Sequence, residues 1–456
     1  MKINPNIFRA YDIRGLYPKE INEKVAYSVG QAFAIYLLKQ RKIKNKLNIA
    51  VGQDNRLSSP SLFKNLVKGI LDQGVSVVDI GLSTTPMFYF AVGFYKLDGG
   101  INITGSHLRA EYNGFKLVKD GTVPVSEKTG LKEIKKLATK EIQPSFKKGK
   151  ILKKNVTSPY LEFNFKDFRT STFKSFKLVV DTANAVTGIL IPPLRKKLPF
   201  QIYSLFEKLD GNFPNHPPDP LIKKNLRFLQ KEVKNKKADL GIAFDGDGDR
   251  ILFVDEKGKI ISGDMIFALL AKLILRERPG AKIMSDIRSS KIIKEVVKKN
   301  GGKFLIGKIG HSLIKEKMRK EDIVFAGELS GHYYYKNHYF CESPFFVLFK
   351  ILEEISLTKK SLFEMIKPYQ KYFHSGEINF KISNKEKKIR KLEKRFKSGS
   401  VSHLDGLRID FENWWFSIRS SQTEPLLRLV VEAETKKLME EKKKEITKII
   451  SNPSSF

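Results

Sequence analysis

The sequence predicts an α/β protein with three similar mixed-sheet units followed by a smaller α+β unit. At 456 residues the chain is too long for one ordinary core, because domains usually span about 100–200 residues. Short β-branched segments alternate with helical segments in three successive stretches, which is the rhythm of βαβ units. Beyond about residue 368 the pattern changes to alternating strands and a charged helix, which favours an antiparallel sheet.

We therefore expect domains at residues 1–150, 151–255, 256–368 and 369–456. The first is predicted to contain strand 47–52, helix 59–74, strand 75–81, helix 84–96 and strand 99–105. The second repeats this pattern with strands 177–181, 201–205 and 238–244 and a lysine-rich helix over 221–237. The third contains a helix after Gly263, strand 281–286, helix 290–301 and strands 303–307 and 323–327. The fourth contains strands 377–382, 407–411, 414–419 and 426–433.

Charge and cysteine content narrow the class of protein. The formal net charge is +35, from 84 basic and 49 acidic residues, which favours contact with polyanions. The basic residues are scattered, and aromatic residues are not interleaved with them as a base-stacking platform requires, so a solvated lysine-rich surface is the preferred interpretation. The single cysteine, Cys341, excludes an internal disulfide and a multi-cysteine zinc site. With no apolar leader at the start, we expect a cytoplasmic protein without a membrane segment.

The segment GGINITGSHLRAEYNGFKL places Ser106 and His107 just beyond a predicted strand, where open α/β sheets commonly bind ligands. A serine hydroxyl is a poor nucleophile, but a phosphorylated serine is a phosphoryl donor that needs cations around it. His107, Arg109 and Lys116 can supply them. Ordinary turn chemistry is the alternative for this loop.

FDGDGDR, at 244–250, carries Asp245, Asp247 and Asp249 at alternate positions with glycines between them. The glycines let the chain bend, so that three carboxylates can face one hard cation, and Mg²⁺ prefers such oxygen ligands. A calcium-binding EF-hand is disfavoured because Arg250 replaces its glycine and strands replace its flanking helices. A merely acidic turn is the remaining alternative.

Two further loops carry polar groups that suit a phosphosugar. GELSGH, at 327–332, offers the Glu328 carboxylate, the Ser330 hydroxyl and the His332 imidazole after a strand. RSSQTEP, at 419–425, follows another strand and brings a guanidinium and hydroxyls that can bind a phosphate. Each of these two segments, taken alone, is equally compatible with a plain turn.

Six motifs in this order resemble the α-D-phosphohexomutase superfamily: YDIRG (11–15), TGSH (104–107), DGDGDR (245–250), KIGHSLIK (308–315), GELSGH and RSSQTEP. The resemblance covers all of the predicted units. It implies three similar α/β domains and a C-terminal domain related to the TATA-binding-protein-like fold, arranged around a central cleft. It also implies interconversion of hexose 1-phosphate and hexose 6-phosphate through a phosphoserine enzyme and a hexose 1,6-bisphosphate intermediate.

The resemblance implies a role for each matching residue. Ser106 would carry the phosphoryl group and, with Asp245, Asp247 and Asp249, coordinate Mg²⁺. The other residues expected in catalysis are Arg14, His107, Lys116, Arg250 and His332, with Lys116 or His332 as general acid or base. The residues expected to bind substrate are Lys308, His311, Glu328, Ser330, Arg419, Ser421 and Thr423, of which the last three would hold the phosphate that does not react.

GELSGH is similar to the loop of phosphomannomutase/phosphoglucomutases, whereas phosphoglucosamine mutases more often carry GEQSGH, so Leu329 favours mannose and glucose substrates. The serine loop reads SHLR where the family usually has SHNP, which puts Leu108 and Arg109 in unusual positions. The alternatives are a phosphoglucosamine mutase or a non-catalytic phosphosugar-binding protein on the same scaffold. We expect a monomer or homodimer and no specific nucleic-acid partner.

Overall fold

A computed structural model describes residues 3–40, 47–382, 384–421 and 426–451. The first sheet has the strand order β1-β5-β4-β2-β3-β6. Its strands are β1 (Ile13–Leu16), β2 (Asn48–Gln53), β3 (Ser76–Leu82), β4 (Gly99–Ile103), β5 (Tyr112–Lys119) and β6 (Ile151–Lys153). Its helices are α1 (Glu23–Gln40), α2 (Ser59–Leu71), α3 (Thr85–Phe94) and α4 (Lys132–Ala138).

The helices α1 and α2 pack closely on this sheet because two glycines lie where they cross. A Cβ atom on Gly30 would lie 2.3 Å from the Leu66 carbonyl oxygen, and one on Gly69 would lie 2.2 Å from the Tyr27 carbonyl oxygen. Substitution at either glycine would therefore push backbones apart, at a cost in core packing.

The second and third sheets repeat the arrangement of the first. The second contains α5 (Thr157–Phe165), β7 (Lys177–Asp181), α6 (Ile191–Lys197), β8 (Gln201–Leu205), α7 (Arg227–Asn235), β9 (Leu240–Phe244), β10 (Ile251–Asp255) and β11 (Ile260–Ile261), in the strand order β11-β10-β9-β7-β8. The third contains α8 (Gly263–Glu277), β12 (Lys282–Asp286), α9 (Lys291–Lys299), β13 (Lys303–Gly307), α10 (His311–Glu321), β14 (Phe325–Gly327), β15 (Tyr333–Tyr335), β16 (Cys341–Glu342), α11 (Pro344–Thr358) and α12 (Leu362–Ile366), in the order β13-β12-β14-β15-β16.

In each α/β sheet, parallel strands are followed by antiparallel ones. The strand β4 pairs in parallel with β2 and antiparallel with β5, and the same change occurs at β9 and at β14. Strands β4, β9, β10 and β14 are buried along their whole length. Apart from Asn102 in β4 and Asp255 in β10 they carry no polar side chains, as is usual where helices cover both faces of a sheet.

The fourth sheet is antiparallel, with strand order β17-β22-β21-β20-β19 and with β18 also paired to β22. Its elements are β17 (Phe373–His374), β18 (Ile378–Phe380), α13 (Lys385–Arg395), β19 (Ser400–Ser402), β20 (Leu407–Asp410), β21 (Trp414–Ser420), β22 (Leu427–Ala433) and α14 (Lys436–Ser451). Apolar residues of β20, β21 and β22 pack with those of α13 and α14 in one core. The predicted fold, three mixed-sheet α/β domains and a smaller α+β domain, is confirmed.

The predicted lysine-rich helix over 221–237 is too long. The α-helix runs only from Arg227 to Asn235, and the residues before it, Lys223–Leu226, form a 3-10 helix. Asn225 donates its side-chain amide to the carbonyl oxygens of Pro217 and Asp219, at 3.0 and 2.8 Å, and so ties this first turn to the preceding loop. Across the described ranges, no helix is both long and apolar enough to cross a membrane.

Candidate functional site

Polar side chains converge from the same topological position in the three α/β sheets. In each sheet this is the loop that joins a strand with a parallel neighbour to its antiparallel partner, namely 104–111 between β4 and β5, 245–250 between β9 and β10, and 328–332 between β14 and β15. These loops carry Ser106, the three aspartates and Glu328 respectively. Loops at the carboxyl ends of parallel strands are the usual ligand sites of such sheets, so one architectural feature, repeated along the chain, places all three motifs.

The aspartate loop folds so that three carboxylates face one another. Asp245, Asp247 and Asp249 are buried, and one oxygen from each lies within 4.8 Å of the others. The Asp245 Oδ1 atom accepts the backbone N–H groups of Asp249 and Arg250, both at 3.1 Å, which closes the loop. Gly246 is required here, since a Cβ atom would lie 2.2 Å from the Ser106 carbonyl oxygen. The serine loop and the aspartate loop are thus in direct contact.

The triad fits a divalent cation such as Mg²⁺. All its donors are carboxylate oxygens, the ligands that hard cations prefer. The Asp247 Oδ1 atom is buried and accepts no hydrogen bond within the described structure. Its Oδ2 atom accepts from the Thr85 hydroxyl at 2.5 Å, and Asn102 in turn donates to that hydroxyl at 3.1 Å. Thr85 and Asn102 therefore orient one proposed ligand from the first domain, a role that sequence reasoning missed.

Lys116 balances much of the triad's negative charge. Its Nζ atom lies 2.6 Å from the Oδ2 atoms of both Asp247 and Asp249. Burial raises the pKa of Asp245 well above its usual value, and the neighbouring aspartates add to that shift. Burial acts in the same direction on Asp249, but Lys116 and His332 outweigh it and hold the pKa of Asp249 well below its usual value. Sequence reasoning placed Lys116 at this centre, and the structure brings it there.

Ser106 lies where its hydroxyl can meet both the triad and a histidine. Its backbone φ is +50°, in the left-handed region that non-glycine residues rarely adopt. The Oγ atom is 3.5 Å from Asp245 Oδ2 and 3.2 Å from His107 Nδ1. Arg250 contacts the same His107 nitrogen through Nη2 at 3.0 Å. Burial, together with Arg250 and Arg14, lowers the pKa of His107 well below its usual value, so the imidazole is neutral and Nδ1 can accept.

His332 links the sugar loop to the aspartate loop. Its Nε2 atom is 3.1 Å from Asp249 Oδ1, and its Nδ1 atom is 2.8 Å from the Ser330 hydroxyl and 3.2 Å from Glu328 Oε2. Burial alone would lower the pKa of His332, but Asp249 and Glu328 raise it to about 9. The two carboxylates therefore favour the protonated form of His332.

Glu328 is buried and is fixed from both sides. Its Oε1 atom accepts the Gly310 N–H at 3.2 Å, and its Oε2 atom accepts the Tyr334 hydroxyl at 2.8 Å. His311 begins the helix after Gly310 and packs edge-on against Tyr11, with ring centroids 5.9 Å apart. Neither His311 ring nitrogen has a hydrogen-bond partner within the described ranges. The polar edge of His311 is thus left for a ligand.

The remaining predicted residues lie around this centre or outside the described residues. Arg14 is held by Asp12, with 2.7 Å between Nε and Oδ2, and Lys308 is exposed. Arg419 is the last residue but one of β21 in the fourth sheet, is buried, and has an Nε atom without a partner in the described part of the chain. Ser421 donates its backbone N–H to the Leu426 carbonyl oxygen at 2.8 Å. Thr423 lies outside the described residues.

Sequence reasoning also missed Arg288, which joins the third and fourth domains. Its guanidinium contacts Asp286 at 2.7 Å and Glu377 at 3.1 Å, and Glu377 lies 3.8 Å from Arg419. Arg288 follows a parallel strand by two residues, the position from which the other site loops also project. That position, rather than any motif, was the signal that could have found it.

Comparisons with known proteins agree across the chain. Models described as phosphoglucomutase/phosphomannomutase alpha/beta/alpha domains I, II and III and C-terminal domain match residues 5–145, 158–258, 262–372 and 377–449. A phosphomannomutase of Vibrio cholerae is 38% identical over 454 residues, covering 97% of this chain and 98% of the relative. One of Methanocaldococcus jannaschii is 39% identical over 449 residues, covering 98% and 97%. A crystal structure of a phosphoglucomutase/phosphomannomutase family protein of Burkholderia thailandensis has a TM-score of 0.91 at 31% identity, covering 98% of each chain.

Proposed function

This chain belongs to the phosphoglucomutase/phosphomannomutase family, and on that premise we propose how its loops act on a hexose monophosphate. The protein is an enzyme of the isomerase class with hexose-phosphate mutase activity, as its phosphomannomutase relatives indicate. The proposal rests on one observation above all: the Ser106 hydroxyl lies 3.5 Å from Asp245 Oδ2, at the edge of a buried carboxylate triad.

We propose that Ser106 carries a phosphoryl group and exchanges it with the sugar. In one half-reaction the bond from phosphorus to Ser106 Oγ breaks and a bond to a sugar hydroxyl oxygen forms, giving a hexose 1,6-bisphosphate. After the sugar turns over, its other phosphate passes to Ser106 Oγ and the isomeric monophosphate leaves. The net reaction is an isomerisation, and the hexose bisphosphate is its intermediate. The same bisphosphate activates the enzyme by phosphorylating Ser106.

The protons follow the same two half-reactions. When Ser106 is rephosphorylated, its hydroxyl hydrogen passes to His107 Nδ1, which lies 3.2 Å away. The departing sugar oxygen takes a proton from Lys116 or His332. In the opposite half-reaction both transfers reverse, so that protons balance over the cycle. Arg14 and Arg250 are proposed to offset the charge of the transferring group.

Mg²⁺ is the proposed cofactor, held by Asp245, Asp247, Asp249 and an oxygen of phosphorylated Ser106. When bound, it supplies charge neutralisation at the transferring phosphoryl group. Gly246 keeps the two loops in contact, and Thr85 orients Asp247 towards the same point. These residues thus hold the proposed ligands before a cation arrives.

We propose that the other loops hold the sugar and its second phosphate. Glu328 and Ser330 are proposed to bind sugar hydroxyls in either orientation, together with Lys308 and His311. Arg419, Ser421 and Thr423 are proposed to bind the phosphate that does not react, since a buried guanidinium suits a phosphate group. Holding the far end positions either sugar carbon against one serine.

Mannose and glucose phosphates are the proposed substrates for two reasons. The loop GELSGH, with Leu329, resembles that of phosphomannomutase/phosphoglucomutases, and the similar relatives are named phosphomannomutase. We also propose a cytoplasmic location and a monomer or homodimer. The proposed domain limits are 1–150, 151–255, 256–368 and 369–456.

A substrate panel tests this function. The full chain is incubated with Mg²⁺, a trace of glucose 1,6-bisphosphate, and the 1-phosphates of mannose, glucose or glucosamine, with Ser106→Ala as control. We expect the wild type to convert the mannose and glucose esters and Ser106→Ala to convert none. Preference for the glucosamine ester would overturn the sugar assignment, and a folded wild type without turnover would overturn catalysis in favour of a phosphosugar-binding protein.

A further inference from the structure

Arg56 lies outside the four site loops, in the turn between β2 and α2, yet it contacts the serine loop more extensively than any motif residue described above. Its side chain is 1% exposed. Its Nη2 atom donates to the carbonyl oxygens of Ser106 and Leu108, each at 2.7 Å. Its Nη1 atom donates to those of Arg109 and Tyr112, at 2.5 and 3.0 Å. One guanidinium thus holds both ends of the loop that carries Ser106.

The same guanidinium is itself held in place. Its Nε atom donates to Asp54 Oδ2 at 3.0 Å, which occupies the last of the five N–H donors of an arginine. Asp54 Oδ1 accepts the Arg56 backbone N–H at 3.0 Å and the Ser59 hydroxyl at 2.6 Å. The ring of Phe213, from the second domain, lies 5.0 Å from the guanidinium carbon. Contacts outside the serine loop therefore also hold Arg56 in place.

The loop is also shaped to admit this side chain. A Cβ atom on Gly105 would lie 2.6 Å from the guanidinium carbon of Arg56, so only glycine fits beside it. Ser106, the next residue, has a φ of +50°, a conformation that needs support from its surroundings. Its carbonyl oxygen is bound by Arg56, and its N–H donates to Thr104 Oγ1 at 2.8 Å. The strained residue is thus tied on both sides.

We infer that Arg56 is a positioning residue that sets the conformation of loop 105–112 and thereby directs Ser106 Oγ to the aspartate triad. This inference rests on the proposed phosphoserine chemistry. Because Arg56 binds backbone carbonyl oxygens, the loop's shape does not depend on the side chains at Leu108 and Arg109. Arg109 is exposed, and it is the carbonyl oxygen of Arg109 that Arg56 binds. This is how the loop accommodates SHLR where the family usually has SHNP.

Arg56→Lys tests the inference, because an ammonium has three donors and cannot satisfy four carbonyl oxygens and a carboxylate together. Phosphorylation of Ser106 by glucose 1,6-bisphosphate is followed by intact mass, together with steady-state kinetics. Since a displacement of about 1 Å can cost about a hundredfold in rate, we expect phosphorylation and kcat to fall at least about tenfold. KM for the monophosphate should change less than about twofold, because the distal phosphate site is untouched.

Two controls separate positioning from general stabilisation. Leu108→Ala removes a side chain of the same loop and keeps the carbonyl oxygen that Arg56 binds, so its phosphorylation rate should match the wild type. Arg408→Lys changes another buried arginine, which binds Asp410 in the fourth domain at 2.8 Å, and should lower thermal stability without slowing phosphorylation. If Arg56→Lys does not fold, Gly105→Ala is the second variant: its methyl group would meet the guanidinium carbon at 2.6 Å and the Tyr112 carbonyl oxygen at 2.8 Å, which moves the loop away from Arg56 while keeping the charge. The same loss of rate is expected.

Equal phosphorylation rates in the wild type and in folded Arg56→Lys or Gly105→Ala would overturn the inference about Arg56 and leave the proposed function standing. Loss of rate in Leu108→Ala as large as that in Arg56→Lys would also overturn it, since side chains would then set the loop. A wild type that is never phosphorylated on Ser106 would instead overturn the proposed function, and the inference with it.

Discussion

Asp247→Asn separates metal binding from folding, because the charges around Asp247 nearly cancel when no cation is bound. At the 4.8 Å limit of the triad, each like-charged neighbour costs about 3.5 kcal/mol at an effective dielectric constant of about 20. The 2.6 Å contact with Lys116 contributes about 6 kcal/mol of attraction on the same scale. At a pH above the raised pKa of Asp245, where all three carboxylates are ionised, neutralising Asp247 therefore removes similar amounts of repulsion and attraction, and the metal-free variant should melt within a few degrees of the wild type.

Binding of Mg²⁺ should respond very differently. The variant keeps an oxygen at this position but loses one of three negative charges facing the ion. Substitution of residues that only contact metal ligands weakens metal binding about 10–100-fold. Asp247 is itself a proposed ligand, so we expect the Kd for Mg²⁺ to rise at least about a hundredfold, which corresponds to about 2.7 kcal/mol. Isothermal titration calorimetry of metal-free protein measures this Kd, and melting in EDTA measures the stability of the fold.

A matched control lies at the other end of the same strand. Asp239 immediately precedes β9, whereas Asp245 follows it, and Asp239 pairs with Lys174 at 2.6 Å on a partly exposed surface. Asp239→Asn should bind Mg²⁺ like the wild type. Unchanged Mg²⁺ affinity in Asp247→Asn would refute the metal assignment, and a large loss of melting temperature in EDTA would refute the charge balance.

Two further predictions concern the fourth domain and the interior of the third. Arg419→Met should raise KM for hexose monophosphates about tenfold or more, since a hydrogen bond to a charged group is worth about 1.5–3 kcal/mol. It should raise by a similar factor the concentration of glucose 1,6-bisphosphate needed to phosphorylate Ser106, because the non-reacting phosphate of the bisphosphate would occupy the same site. An unchanged KM in steady-state kinetics would place the distal phosphate elsewhere. Burial raises the pKa of Asp264 to about 7; Glu432 and Asp286 add to this shift, and His374 opposes it. Because the unfolded chain has the usual carboxyl pKa of about 4, the folded protein binds the proton more tightly than the unfolded chain does. The free energy of unfolding therefore falls as the pH rises from about 4 to about 7. Asp264→Asn should therefore gain melting temperature relative to the wild type between pH 5 and pH 8, and a parallel pH dependence of the two proteins would contradict this.

Local sequence patterns predicted the parts of the site that lie within a few residues of one another. Alternate spacing of acids and glycines predicted the triad, and the apolar strand before Ser106 predicted its loop. Thr85 binds Asp247 across 162 positions of sequence, and Arg56 binds the Ser106 carbonyl across 50, so no local pattern could reveal either contact. Both contacts depend on how the sheets and domains pack against one another. The strand pattern predicts which sheets form, but it does not predict which side chains meet between them.

The helix over 221–237 illustrates the same limit at the level of secondary structure. Lysine-rich composition predicted a continuous helix, but the Asn225 amide binds two backbone carbonyl oxygens and delays the helix to Arg227. Those carbonyl oxygens, of Pro217 and Asp219, precede the predicted helix, so the amide ties the entry of the helix to the loop before it, and Lys223–Leu226 form a 3-10 helix instead of α-helical turns. Lysine content alone does not reveal such a contact.

Single-turnover transfer from phosphorylated enzyme is the decisive test of a phosphoserine at position 106. Protein phosphorylated with labelled glucose 1,6-bisphosphate is freed of sugar and mixed with glucose 1-phosphate or mannose 1-phosphate in Mg²⁺. We predict one labelled phosphoryl group on Ser106, which leaves the protein and appears in a hexose 1,6-bisphosphate. Label that is absent from Ser106, or that leaves Ser106 only as inorganic phosphate while the sugar stays unlabelled, would contradict transfer through a phosphoserine at this site.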